Sequence, residues 1–287
     1  MVVTGYGTQK EKEITSSVVE VSAEEFNQGV ISDPAQLLQG KVAGLQVYNR
    51  GGNPNQKATI RLRGLSTVGA NQEPLVVVDG VIGASLENVD PNDIENISVL
   101  KDGSAAAIYG SRGSSGVIIV TTKKGAKSQD IKWSYNGQVS TESILNSITT
   151  LSPSAFVAAG GTDLGSQTDW IDEVTESPIS HNHGLSVSGG IGNNSSFRAS
   201  VNLREKNGIL RNTGFDQLNT RLNFSSTAFN DKLKIDFSTS ITTRDQQNGY
   251  DEALRYAILY NPTAPILGAD APFVFNGAQF GGFFETL

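Results

Sequence analysis

Downstream of Lys123, Lys124 and Gly125 the chain alternates apolar and polar residues, and it does so in five successive segments. Over residues 131–140, Ile131, Trp133, Tyr135, Gly137 and Val139 fall on one side of an extended backbone, while Lys132, Ser134, Asn136, Gln138 and Ser140 fall on the other. The same period recurs in Leu185, Val187, Gly189 and Ile191; in Phe197, Ala199, Val201 and Leu203; in Leu218, Leu222 and Phe224; and in Leu233, Ile235, Phe237 and Ile241. Five strands in sequence are predicted, each with two faces of opposite character. The polar partners include Arg198, Arg204, Arg221, Lys234, Asp236 and Arg244, so one face of the sheet is wet or internally hydrated.

Alternation of this kind fits a soluble sandwich as well as a barrel. The connections discriminate. A long segment over 141–182 follows the first strand, and a tight one through Gly192, Asn193, Asn194 and Ser195 joins the second to the third. A medium connection over 205–215, a short turn over 229–232 and a long stretch after Asp245 complete the series. Short turns at one end and long loops at the other are the habit of outer-membrane barrels. If the first strand rises from the periplasmic side, every long connection falls outside the cell.

Upstream of Gly125 the signals mix. Asp33 with Pro34, and Asp90 with Pro91, each pair a capping side chain with proline at the first helical position; Leu37 and Leu38 follow the first pair and Gly40 ends it. Residues 104–109 form an Ala-rich helical turn closed by Gly110. The β-branched runs 44–48, 59–62, 75–78, 97–100 and 117–121 suit a small buried sheet, and the whole reads as one compact α/β unit. The 31 glycines and a hydrophobic fraction of 37% favour short strands and turns over a helix-rich enzyme. With 22 basic against 29 acidic residues there is no basic footprint for nucleic acid, and the absence of cysteine excludes disulfides and thiol chemistry. No apolar run of about 18 residues occurs, which excludes a transmembrane helix but not a barrel.

Four runs resemble a known family. They are VVTGYGTQ at 2–9, SDPAQLLQGKVAGLQV at 32–47, IRLRGLSTVGANQEPLVVVDGV at 60–81 and NVDPNDIENISVLKDGSAAAIYGSRGSSGVIIVTTKKG at 88–125. In this order, and followed by period-two strands, they resemble the SusC/RagA-like TonB-dependent outer-membrane transporters. The resemblance implies an α+β plug domain over 11–126, preceded by a TonB-box-like coupling segment over 1–10. It is followed over 127–287 by the first antiparallel strands and loops of an incomplete transmembrane β-barrel. It also implies active import of an oligosaccharide or peptide across the outer membrane of a Gram-negative bacterium, with TonB and a SusD-like surface lipoprotein as partners and outer-membrane lipid around the wall. Plugged barrels have roughly 22 strands, so five or six strands imply that most of the barrel, and the leader and extension domain of such transporters, lie outside these residues. An open sheet edge is not stable in lipid, and the chain alone is not expected to transport. The alternative reading is a soluble or surface-attached β-rich ligand-binding protein without transport activity.

Val2, Val3, Thr4, Gly5, Tyr6 and Gly7 are the candidate coupling residues, because a short apolar segment near a chain end can add to the edge of a partner's sheet. Arg61 and Arg63 share one face of a strand, and with Arg112 they are candidate latches to carboxylates of the barrel wall, expected beyond Leu287. Trp170, Tyr250 and Tyr260 lie in or beside the long connections and are candidate ligand contacts, or members of an interfacial aromatic belt. Asp79-Gly80 and Asp102-Gly103 read as turn dipeptides before they read as acids. His181 and His183 have no third metal ligand at useful spacing, no phosphate-loop motif accompanies the glycines of 110–116, and no catalytic triad or carboxylate pair can be defended. No enzyme activity and no cofactor are expected.

Overall fold

The computed structural model describes residues 2–4, 7–9, 18–26, 29, 31, 33–49, 51–62, 64, 72–101, 108–127, 129–230, 232–266, 274–275 and 278–279. Its first part is built on a five-stranded sheet. Strands Val2–Thr4 (β1) and Gly7–Gln9 (β2) pair with each other as an antiparallel hairpin. Val18–Ser22 (β3), Leu45–Tyr48 (β4), Thr59–Leu62 (β5), Leu75–Val78 (β6), Val81–Ile82 (β7), Ile94–Leu100 (β8) and Val117–Thr122 (β9) follow. The main sheet has the order β3-β8-β9-β6-β7, with β6 parallel to β9 and every other pair antiparallel. Strand β9 lies in its middle and reads as a continuous apolar run, as expected of a strand covered on both faces. Ile97, Val99, Ile118 and Val120 pack on one side against the separate β4–β5 pair, and Val77, Leu100, Val117 and Ile119 pack on the other. The single sheet expected from the five apolar runs is therefore two, and β3 and β7 complete the larger one.

The predicted proline-headed helices are single 3-10 turns. Asp33 Oδ1 accepts from the Ala35 N–H at 2.8 Å to start Pro34–Leu38, and Gly40, at φ 76°, turns the chain away directly afterwards. Asp90 and Pro91 start a still shorter turn, Pro91–Asp93, which runs straight into β8. Of the turn expected at 104–109, Ile108 and Tyr109 are helical and lead into a 3-10 turn at Gly110–Gly113; residues 102–107 lie outside the described residues.

The second part is a five-stranded antiparallel meander in sequence order: Lys132–Thr141 (β10), Ile179–Ile191 (β11), Ser195–Asn207 (β12), Gly214–Ala228 (β13) and Leu233–Gln247 (β14). Its burial is inside out. Arg204 and Asn202 are 6% and 2% exposed, whereas Trp133 and Val139 are 70% and 71% exposed. The polar face is pressed onto the first domain and the apolar face points away from protein. The tight turns at 192–194 and 229–232 lie at one end of the meander; the connection at 208–213 and the long ones lie at the other. The long connections carry helices Pro153–Ala158 (α1), Trp170–Val174 (α2) and Ala253–Leu259 (α3), and α2 and α3 share a small core of Trp170, Val174, Ala253, Ala257 and Ala264. Among the described residues β10 and β14 each pair on one side only; Val274–Phe275 (β15) and Ala278–Gln279 (β16) pair with each other.

Candidate functional site at the plug and wall interface

Three carboxylates of the first domain reach the meander. Asp79 occupies the β6–β7 turn at φ 48°; its Oδ1 accepts from the Thr122 N–H at 2.9 Å and its Oδ2 from the Thr122 hydroxyl at 2.7 Å, which ties the turn to the end of β9. The same Oδ2 accepts from Arg221 Nη1 of β13 at 2.9 Å. Asp90 caps its 3-10 turn with Oδ1 and accepts from Arg204 Nη2 at 2.8 Å with Oδ2. Asp93, the last residue of that turn, accepts from Arg198 Nη2 at 3.0 Å, the Ser200 hydroxyl at 2.9 Å and the Asn202 amide at 2.8 Å. Alternation along β12 aims all four of these partners inward.

Neutral side chains fill the spaces between the ion pairs. Asn219 donates to the Asn88 carbonyl at 2.9 Å, Gln217 to the Glu87 carbonyl at 3.2 Å and Asn223 to the Lys123 carbonyl at 2.9 Å. The carbonyls of Glu87 and Asn88, in a 3-10 turn at Leu86–Asn88, and of Lys123, just after β9, are thus satisfied by the wall. Lys123 donates to the Asn92 carbonyl at 2.8 Å. Burial pushes its amine below the usual lysine range, aided by the nearby Arg198 and opposed by Asp93, Glu95 and Asp90. A second contact lies at the long-connection end of the wall. There the Gly52 carbonyl accepts from the Leu210 N–H, Asn53 donates to the Asn248 carbonyl and Asp251, and Asn55 donates to the carbonyls of Gly214 and Gln247. This arrangement holds the first domain against the polar face of the meander. Removing one member of a buried ion pair typically costs about 3–5 kcal/mol, because the other is stranded.

Of the residues proposed from the sequence, Val2, Val3 and Thr4 form β1 and Gly7 opens β2; Gly5 and Tyr6 lie outside the described residues. Arg61 lies in β5, 5.9 Å from the Tyr48 ring centroid, with its Nε buried and without a hydrogen-bond partner among the described residues. Arg63 lies outside the described residues, and Arg112 is exposed on the Gly110–Gly113 turn. The structure brings Trp170 and Tyr260 together edge to face, centroids 5.1 Å apart, in the α2–α3 core. The Trp170 indole donates to the Asn261 carbonyl at 2.9 Å, and burial raises the Tyr260 phenol above its usual range. Tyr250 is more open and stacks on Tyr256. His181 pairs with Glu205 at 2.9 Å, the His183 ring lies 2.8 Å from the Tyr135 hydroxyl, and no group of three or more metal-ligating residues occurs among the described residues.

Sequence reasoning did not single out Asp79, Asp90 and Asp93 as anchors. Asp79-Gly80 and Asp90-Pro91 were explained as turn and cap, and Asp93, before Ile94, carried no local signal. The available signal was on the wall, where Arg198, Arg204 and Arg221 all take the polar parity of buried strands and need carboxylates.

A family model for the TonB-dependent receptor plug domain matches residues 10–117. TonB-dependent receptor SusC of Bacteroides thetaiotaomicron is 35% identical over 98% of this chain. The chain belongs to the TonB-dependent receptors of the SusC/RagA type. TonB-dependent receptor P26 of Formosa agariphila is 33% identical over all of it, and the chain spans 30% of the length of each of these two relatives. Among solved structures, the RagAB peptide importer in its open-open state superposes with a TM-score of 0.75 at 29% identity, over 85% of this chain and 32% of that one. The ferric citrate transporter FecA, at 16% identity and a TM-score of 0.58 over 83% of this chain and 32% of that one, shares the fold. The first domain is thus the receptor's plug and the meander is the start of its barrel wall. The receptor resides in the outer membrane of a Gram-negative bacterium.

Proposed function

We propose that this chain supplies the plug and early wall of a receptor that imports a nutrient, an oligosaccharide or peptide, across the outer membrane with energy from TonB. The observation that carries the reading is the inverted wall, whose buried arginines grip carboxylates of a separately cored plug. A soluble binding protein would not expose the apolar band of β10–β14.

In this reading substrate binds at the end that carries the long connections, with a SusD-like surface lipoprotein as partner. Residues 2–7 are the segment TonB engages, by adding a strand through main-chain hydrogen bonds. Pulling then displaces part of the plug, and no covalent chemistry is involved. Arg61, Arg63 and Arg112 are latches between plug and barrel wall in this reading; the orphaned Nε of Arg61 supports that role for Arg61. Tyr250 is the open candidate for ligand contact, while Trp170 and Tyr260 shape the loop that presents it. Deleting residues 2–7 from the complete receptor should abolish uptake while surface binding of substrate persists. Uptake at the parent rate would contradict the coupling role.

A further inference from the structure

The two tight turns at the short end of the wall use left-handed backbone differently. The turn at 192–194 places Gly192 at φ 60°, where a residue without a Cβ is unstrained, and follows it with Asn193 and Asn194. The turn at 229–232 places Phe229 at φ 55° and Asn230 at φ 56°. Asparagine tolerates that region, but a bulky aromatic residue is an outlier there. Among the described residues the other non-glycine positions with positive φ are Asn212 and Asp79, and Asp79 is held by three hydrogen bonds. Phe229 has no such compensation from packing, because its side chain is 77% exposed. Strain of this kind persists where the surroundings over-determine it.

The neighbouring side chains indicate what covers the ring. On the outward face Leu233 stands opposite Ala228 and Ile235 opposite Ser226, and Leu233, Ile235 and Phe237 are all exposed. That face therefore stays apolar up to the turn, and Phe229 carries exposed apolar surface past the last strand pair. The other end of the same face is different. There it closes on His181, Glu205, Asp216 and Asp245, which stand in one register row. At the far corner of the 229–232 turn the exposed Lys232 donates its N–H to the Phe229 carbonyl at 3.3 Å. This closure holds an aromatic ring and an ammonium on adjoining corners. A ring beside a cation matches the edge of a phospholipid leaflet, where acyl chains give way to phosphates.

We propose that the turn at 229–232 anchors the short end of the wall in lipid: the Phe229 ring enters the acyl region just beneath the headgroups of the leaflet on that side, and Lys232 meets their phosphates. The proposal rests on the membrane reading above and adds to it the depth at which this end of the wall sits. Burial of the ring among acyl chains offsets a backbone conformation that phenylalanine disfavours in water.

The test uses the complete receptor with Phe229→Trp as its only tryptophan, reconstituted into phospholipid bilayers brominated either near the headgroup or near the chain end. Stronger quenching by the bromines near the headgroup than by those near the chain end, with little quenching by aqueous iodide, is the expected result. Quenching mainly by iodide, or by neither agent, would mean that water or protein covers the ring, and overturns the anchor. If Phe229→Trp does not assemble, Phe229→Cys carrying a nitroxide attached after assembly replaces it. Oxygen, which partitions into the bilayer, should then relax the nitroxide more than an aqueous nickel chelate does; the reverse overturns the anchor. Adding Lys232→Glu to Phe229→Trp should raise quenching by iodide, and an unchanged ratio of bromine to iodide quenching overturns the part given to Lys232. Failure of the membrane reading would show separately, at Trp133: lipid contact there with water at position 229 overturns the anchor alone.

Discussion

The plug and the wall obey opposite rules of burial. Inside the plug, Ile97, Ile118 and Val120 are sealed in a dry core and charged groups stay at its rim. In the wall the sealed side chains are Arg204, Lys206, Asn202 and Gln217, and Trp133, Tyr135, Ile235 and Phe237 are left open. The plug faces other protein and water, so its apolar groups collapse inward. With a polar plug in front and, in the reading proposed above, hydrocarbon behind, the wall has its apolar side outside. Period-two alternation thus serves either solvent, and what turns the meander inside out is the row of carboxylates that the plug presents to it.

Changes that erase this opposition should have large effects. Arg204→Ala strands Asp90, which is fully enclosed, and should destabilise the seated plug by about 3–5 kcal/mol. Urea titration of the complete receptor, read through protease cleavage of the plug, would measure it. Adding Asp90→Asn should recover part of the loss, and an equal loss in the double variant would mean that the pair does not act as a unit. A smaller effect is expected on the outer face. Tyr135→Lys puts a charge on the lipid side of β10 and should cost about 2–4 kcal/mol if it lies at mid-depth. Reduced barrel assembly in heat-modifiability gels would report it; normal assembly would count against a lipid-facing β10.

Much of this was legible beforehand. Strands β5 and β6 fall on the runs read for them, and the five wall strands contain the five alternating segments apart from Ile131, which precedes β10, because period two is a local property that survives any environment. Strand β3 was not legible: VVEVS has too few residues to declare a period, and it becomes a strand by pairing with β8. The proline-headed starts and the end of the first at Gly40 were correctly placed, but a cap encodes where a turn begins and neither its type nor how far it runs, so both are 3-10 and the second stops where β8 starts. The anchor carboxylates escaped notice for a related reason. Asp90 has one oxygen on the Asn92 N–H two residues on and one on Arg204, more than a hundred residues away, and only the first is visible in local sequence; both oxygens of Asp79 are held by distant partners, Thr122 and Arg221.

The central claim, that the outward face of β10–β14 meets lipid, is open to direct measurement through Trp133. The complete receptor, retaining Trp133 as its only tryptophan, would be reconstituted into bilayers with brominated acyl chains and its fluorescence recorded. Strong quenching by the bromines with little quenching by aqueous iodide is the predicted result. Quenching by iodide and not by the brominated chains would mean that this face is bathed in water, and the wall would not be a membrane wall.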